Sequence, residues 1–286
     1  PMVFQIIGAV TNVILDPILI FGLLGFPKMG IFGAAVATVV AQIFSMIYSF
    51  YVLINKDHEI NVKFKNFKFN GKIVKEIYAV GLPSVILQSI SAIMVVAMNN
   101  ILIAFSEIAV SVMGIYFKLQ SFVFMPVFGL TNGIMPIMGY NFGAGNKKRL
   151  VSTIKISCII SAAIMFVGTL IFSFLGENLL MIFNASESMI NIGVKALRII
   201  SFSFLPASIG IVISTFFQAT NHGMGSLVMS FLRQLVGIIP VAYFLAMFGL
   251  DYVWFAFPIS ELLSILAAFI MFIYIYKNQI KNLKPI

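Results

Sequence analysis

Charge is what this sequence has least of. Only 9% of its 286 residues are charged, and nine acidic side chains serve the entire chain. A soluble domain carries roughly 25% charged residues, so water is not the solvent for most of this surface. Cysteine is nearly absent too. Cys158 stands alone, which excludes a disulfide framework and a cysteine-based metal cluster. The two histidines, His58 and His222, fall in separate polar stretches without ligand spacing. No GxxxxGK[ST], HExxH or GxSxG pattern occurs. With no clustered catalytic constellation, the expectation is a protein that is not an enzyme and carries no cofactor and no resident metal. No polar stretch is long enough to be a soluble domain.

What is abundant is apolar length. Hydrophobic residues make up 61% of the chain and the mean hydropathy is +1.08. A membrane span needs roughly 20 apolar residues. Eight runs qualify, at 2–24, 30–54, 77–105, 109–139, 151–175, 188–217, 227–249 and 252–276. The fold class is therefore an all-α polytopic membrane protein with about eight transmembrane helices. Most of the 18 basic residues fall in the loops 55–76, 140–155 and 218–233 and the tail 277–286. The positive-inside rule makes that side cytoplasmic, with both chain ends on it. The +9 net charge is thus topology with attraction to a lipid bilayer. It is split among short loops, not gathered on one face, and no nucleic-acid partner is expected.

An internal repeat sets the organisation. "QIIG" at 5–8 matches "QLVG" at 234–237, and each opens an apolar helix closed by Phe-Gly-Leu, at 21–23 and 248–250. Residues 1–54 therefore look like a copy of the last two helices. The expected division is 1–54 as the last two helices of one lobe, 55–75 as a Lys-rich cytoplasmic linker and 76–286 as a complete six-helix lobe. On this reading the first lobe lacks four helices and the chain is part of a longer one, in the parallel two-lobe plan common among secondary transporters.

The polar groups inside the apolar runs are the candidates for chemistry. Asn12 and Asp16 are four residues apart and share a helix face. Pro17 has no N–H, so the carbonyl of Val13 loses its usual donor. A carboxylate, an amide oxygen and a freed carbonyl in one turn form a hard-oxygen set for a proton or a small cation. Thr38 on the next helix adds a hydroxyl. Lys118 and Glu261 each lie about nine residues, ~14 Å, inside their helices. Equal depth allows a buried Lys118–Glu261 contact, either a structural pair or part of a cavity. Gln88, Asn99, Asn100, Gln120 and Asn132 are candidates for a cavity wall or for interhelical hydrogen bonds. Thirty Phe and 16 Met supply adaptable apolar surface.

"GAVTNVILDPILIFG", "GIFGAAVATVVAQ", "GLPS" at 81–84 and "FMPVFGLTNGIMPIMGYNFGAGNKKRL" at 124–150 resemble the MATE family, the multidrug and toxic compound extrusion transporters. The resemblance implies a twelve-helix, two-lobe fold of which this chain holds helices five to twelve. It implies secondary active efflux of small-molecule drugs, often organic cations, in antiport with H+ or Na+, by a monomer in the plasma membrane. It assigns the N-lobe cation site to Asn12, Asp16 and Thr38. The NorM-like branch carries an acid in the seventh helix, but "GLPSVILQSISAIMVV" has none, which favours the DinF- or MepA-like branches. The alternatives are a flippase for a lipid-linked oligosaccharide, which would call for a strongly basic cavity, and a non-transporting membrane scaffold, which would have no use for Asp16.

Overall fold

The computed structural model describes residues 2–55 and 71–281, and all regular structure among them is helical. It divides into two compact units, Pro1–Asn70 and Gly71–Ile286.

The first unit is a helical hairpin, α1 (Met2–Phe21) and α2 (Ile31–Asn55), joined through a 3-10 turn at Leu23–Gly25. The turn needs glycine at its start. Gly22 has φ 75°, and a Cβ there would lie 2.8 Å from the Lys28 nitrogen. The returning chain then closes the end of α1, with Met29 N–H donating to the Leu19 carbonyl (3.0 Å) and Gly30 N–H to that of Ile20 (3.2 Å). Small residues bring the two helices together. A Cβ on Gly33 would stand 2.5 Å from the Leu19 oxygen, Ala37 and Ala41 are buried, and Ser45 donates to the Phe4 carbonyl at 2.8 Å. Positions 33, 37, 41 and 45 are thus the stripe that packs, at the four-residue spacing of close helix pairs.

The second unit contains α3 (Gly71–Ile103), α4 (Glu107–Gly143), α5 (Lys147–Phe174), α6 (Gly176–Ile182), α7 (Glu187–Ser201) and α8 (Phe204–Ala219). These are followed by α9 (Gly223–Phe231), a π-helical stretch at Leu232–Ile238, α10 (Ile239–Ala246), α11 (Leu250–Val253) and α12 (Ala256–Ile275). Ser106, Asn146 and Ser186 cap α4, α5 and α7 by accepting from backbone N–H groups three residues on. Among the described residues, six helices are long and apolar enough to span a membrane, or seven if α7 and α8 form one bent span. In α3 the shorter apolar part is Gln88–Ile103.

Three differences from the sequence reading have local causes. The run 188–217 is not one helix, because α7 and α8 meet at 48° across Phe202–Ser203. Pro206 has no N–H and its ring crowds the carbonyl of Phe202, which breaks the helix there. The loop expected at 218–233 shrinks to a turn at Thr220–His222, with Asn221 at φ 62°, so α9 starts at Gly223 and Arg233 lies well inside the rod. The linker expected over 55–75 ends early, since Lys72 and Lys75 belong to α3; its remainder, 56–70, lies outside the described residues.

The core has an aromatic cluster near α11 and a mixed aliphatic and aromatic one near α9. Tyr116, Phe124, Phe172, Phe204 and Phe257 meet edge to face, with Phe172–Phe204 centroids 5.0 Å apart. Ile134, Met138, Val212, Phe216, Phe217 and Met229 form a second cluster. Elsewhere large apolar side chains face outward, as a lipid environment requires.

The crossing of the π-helical stretch and α12 is the tightest that concerns function. A Cβ on Gly237 would fall 2.6 Å from Ser260 Cβ and 3.1 Å from its Cα. Gly237→Val should therefore force the rods apart at a cost of ~1–3 kcal/mol and lower the unfolding temperature of the detergent-purified protein. Gly129→Ala meets nothing within 4 Å and should leave that temperature unchanged.

Candidate functional site

In the first unit the three residues singled out from sequence come together. Asn12 Nδ2 donates to Asp16 Oδ1 and to Thr38 Oγ1, each at 3.4 Å, and Thr38 Oγ1 donates to the Ala34 carbonyl at 2.9 Å. One amide group thus serves both oxygens with its two hydrogens. The two 3.4 Å bonds are at the long end of the range. Pro17, one residue beyond Asp16, withholds a donor from the Val13 carbonyl. The result is a loosely held carboxylate beside an amide, a hydroxyl and an under-served carbonyl, partly open within this unit. Such a set accepts a proton or coordinates a small hard cation through oxygen.

The second unit contains two adjoining cavities. The larger, about 540 Å³, is walled by polar side chains including Gln88, Thr131, Asn132, Ser214, Gln218 and Ser226. Part of that wall is self-paired: Ser214 and Ser226 hydroxyls are 2.8 Å apart, and Gln218 Nε2 donates to Ser226 at 3.0 Å. The smaller, about 360 Å³, is mostly apolar, with Met94, Phe117, Phe124 and Phe257, and receives Gln120 and Tyr116. Ser91, Phe128, Ile211, Arg233, Gln234 and Glu261 line both. Of the candidate wall residues, Gln88, Asn132 and Gln120 are in place, whereas Asn99 and Asn100 line neither cavity.

The expected Lys118–Glu261 contact does not form. The Lys118 side chain is exposed on α4, and its Nζ lies 6.0 Å from the centroid of the Phe183 ring at the end of α6. A lysine stem lies along apolar surface while its ammonium seeks a wetter boundary. Glu261 instead faces Arg233, Nη1 to Oε2 at 3.7 Å, with side-chain exposures of 8% for the carboxylate and 30% for the guanidinium. Its other oxygen, Oε1, is buried and accepts no hydrogen bond. Gly210 leaves the space for it, since a Cβ there would be 3.4 Å from Oε1.

Arg233 and Gln234 are the functional candidates that sequence reasoning missed. The expected loop 218–233 ends on Arg233. The signal lay in Thr220–Gly223, a compact set of turn residues: starting the helix at Gly223 puts Arg233 ten residues, ~15 Å, inside it. Glu261 lies eleven residues beyond Leu250 at the other end of its own rod, so the two meet near mid-membrane. The π-helical stretch contributes as well. Pro240 has no N–H for the carbonyl of Val236, and the helix widens just before it, where Arg233 and Gln234 sit.

A bundle of membrane-length helices around a polar, charge-bearing cavity defines a polytopic membrane protein rather than an isolated anchor. The sequence profile of the MatE family matches residues 82–244, more than half of the chain, and the chain belongs to that family. It is 28% identical over 281 residues to the multidrug export protein MepA of Staphylococcus aureus strain bovine RF122, covering 98% of this chain and 60% of that protein. The corresponding protein of Staphylococcus haemolyticus is 28% identical over 263 residues, 91% of this chain and 57% of its own length. Among solved structures, a MOP superfamily transporter from Pyrococcus furiosus superposes with TM-score 0.85 at 25% identity, over 97% of this chain and 63% of that one. An outward-facing MATE transporter of the same superfamily gives TM-score 0.85 at 24% identity, over 100% and 63%. The chain thus spans about three fifths of the length of the relatives it matches.

The Arg233–Glu261 pair makes a stability prediction. Removing one partner of a buried pair strands the other's charge, whereas replacing both with apolar residues of similar volume is close to neutral. Arg233→Met alone should destabilise the purified protein by ~3–5 kcal/mol. Arg233→Met with Glu261→Leu should recover most of that loss in a thermal-unfolding assay.

Proposed function

We propose that this chain works as part of a secondary antiporter that exports organic, often cationic, compounds in exchange for inward H+ or Na+. The observation that carries the reading is the Asn12–Asp16–Thr38 cluster in a membrane-length hairpin, with Pro17 at its centre. An ionisable group at such depth is costly and marks an ion pathway by default. Its value here is a charge that can change: protonation or cation binding at Asp16 neutralises it, and loss of the ion restores it. Pro17 leaves α1 one hydrogen bond short at that turn, so the helix bends there at low cost. An ion that prefers one bent state over another shifts the balance between inward- and outward-facing forms.

In this reading α1 and α2 belong to one lobe, residues 56–70 link it to the next, and the second unit is the other lobe. The multidrug export proteins among the relatives supply the substrate class. A lipid-linked oligosaccharide flippase is less well supported, because Lys118 lies outside both cavities and Arg233 is balanced by Glu261. The 147–149 end faces the cytoplasm of a plasma membrane by the positive-inside rule. At the opposite face Lys195 pairs with Asp251 at 2.6 Å, which offsets one of the positive charges there.

Two experiments test this. In the transporter that contains this chain, Asp16→Asn keeps the side chain's shape but removes its titration. Export of a dye cation from vesicles under an imposed H+ or Na+ gradient should fall at least about tenfold, with expression and insertion intact. Asn12→Ala should cause a smaller loss, since it removes one ligand and leaves the charge switch. Wild-type export by Asp16→Asn under both gradients would make Asp16 structural. For orientation, a cysteine at Ser186 should react with an impermeant maleimide from outside intact cells. One at Asn278 should react only after permeabilisation, and the reverse pattern would invert the direction of transport.

A further inference from the structure

We infer that the groove at the Lys277 end of α12 binds one anionic glycerophospholipid, its phosphate on Lys277 and Lys281 and an acyl chain along Phe272 and Ile273. This goes beyond the transport reading and rests only on the membrane setting of the chain. The groove has a volume of about 360 Å³ and is lined by Phe272, Ile273, Tyr276, Lys277 and Lys281. Its polarity is graded along the rod: apolar side chains come first, then a phenol, then two ammonium groups. Phe272 is held from behind by Phe216, with ring centroids 5.4 Å apart, so the apolar floor belongs to the packed core. A third cation arrives from another helix. Lys147, the first residue of α5, places its Nζ 5.5 Å from the centroid of the Tyr276 ring.

Position and charge together select the occupant. The rod from Leu250 to Ile280 and the span that starts at Lys147 are both long and apolar enough to cross a membrane. Basic and aromatic residues at the ends of such rods lie at headgroup level. A small aqueous anion would engage the ammonium groups but leave Phe272 and Ile273 unused. A zwitterionic lipid would cover the apolar floor, but its cationic nitrogen would stand among three ammonium groups. An anionic lipid is matched at both ends. The ion pairs formed among the described residues, Lys195–Asp251 and Arg233–Glu261, lie elsewhere, so neither carboxylate offsets these lysines. Basic pockets between spanning helices hold anionic headgroups, and each lysine near one strengthens binding about fivefold.

The test is native mass spectrometry of the transporter that contains this chain. It is titrated in detergent with palmitoyl-oleoyl phosphatidylglycerol or with the phosphatidylcholine of the same chains, and the affinity of the first bound lipid is read. Phosphatidylglycerol should bind at least about tenfold more tightly. Lys277→Gln/Lys281→Gln, at two exposed positions, should cut that preference to about twofold, and Lys147→Gln should reduce it less. Lys148→Gln/Arg149→Gln removes the same charge from the start of α5 but outside the groove, and should keep the preference. Ile273→Gln should weaken both lipids at least about threefold, because both lay the same acyl chain on it. Millimolar sn-glycerol 3-phosphate should not displace the bound lipid. Equal affinity for the two lipids overturns the proposal, and so does a preference that survives in the Lys277/Lys281 variant. An equal loss in the Lys148/Arg149 variant would reduce the site to a diffuse basic surface and overturn it as well. Displacement by glycerol phosphate would do the same by making it a plain anion site, and unchanged lipid binding by Ile273→Gln would remove the acyl half. None of these outcomes touches Asp16 or gradient-driven export, so this inference and the transport reading fail separately.

Discussion

Within hydrocarbon a backbone N–H or carbonyl without a partner costs several kcal/mol. That constraint shapes the broken and widened stretches of helix among the described residues. The bend between α7 and α8 is the clearest case. Ser201 and Ser203 donate to the carbonyls of Arg198 and Ile200 at 2.8 and 2.7 Å, and Thr169 reaches across from α5 to the Ser201 carbonyl at 3.0 Å. Side-chain hydroxyls thus serve carbonyls around the break, those of Arg198, Ile200 and Ser201. Pro240 is answered differently, by a π-helical stretch that redistributes the ladder over seven residues. At Pro17 no side chain among the described residues donates to the Val13 carbonyl, and there the deficit lies one residue from a carboxylate. Pro17 thus sits directly beside an ionisable group, where an unsatisfied backbone and a carboxylate need the same thing: a polar lining or a bound ion.

The two halves of the internal repeat share packing but not charge. Gly8 of "QIIG" and Gly237 of "QLVG" both face a serine on the neighbouring helix, Ser45 and Ser260. That common contact sets how closely each pair of rods approaches. Around it the units diverge. The first keeps an unbalanced carboxylate in a loose amide and hydroxyl cage, suited to gaining and losing a cation. The second keeps a carboxylate faced by a guanidinium, Glu261 and Arg233, whose charges offset each other.

Much of this was legible in the sequence, and what was not has physical reasons. Helix existence follows from apolar length, which is insensitive to detail, so the eight apolar runs locate the long rods but not the short α6 and α11 or the break between α7 and α8. Asn12, Asp16 and Thr38 were legible because two share a helical turn and the third lies on the next helix of a hairpin. Hairpin neighbours are the one tertiary contact that sequence order nearly guarantees. Lys118 and Glu261 were misjudged because equal depth constrains height and says nothing about azimuth around the bundle. Arg233 is hidden by a boundary error: residues 223–233, eleven positions of α9 and the π-helical stretch, fall in the expected loop, so a mid-membrane arginine looks like a topology signal. Asn99 and Asn100 fail as cavity residues for the same azimuthal reason.

The central claim is that ion movement through the Asp16 cluster drives export. The most direct measurement reconstitutes the transporter containing this chain into liposomes without any nucleotide and records uphill movement of a dye cation under an imposed H+ or Na+ gradient. Accumulation of dye against its own gradient should appear when the ion gradient is applied. It should vanish when a protonophore or sodium ionophore collapses that gradient. Dye accumulation that persists after both gradients are abolished would contradict the account.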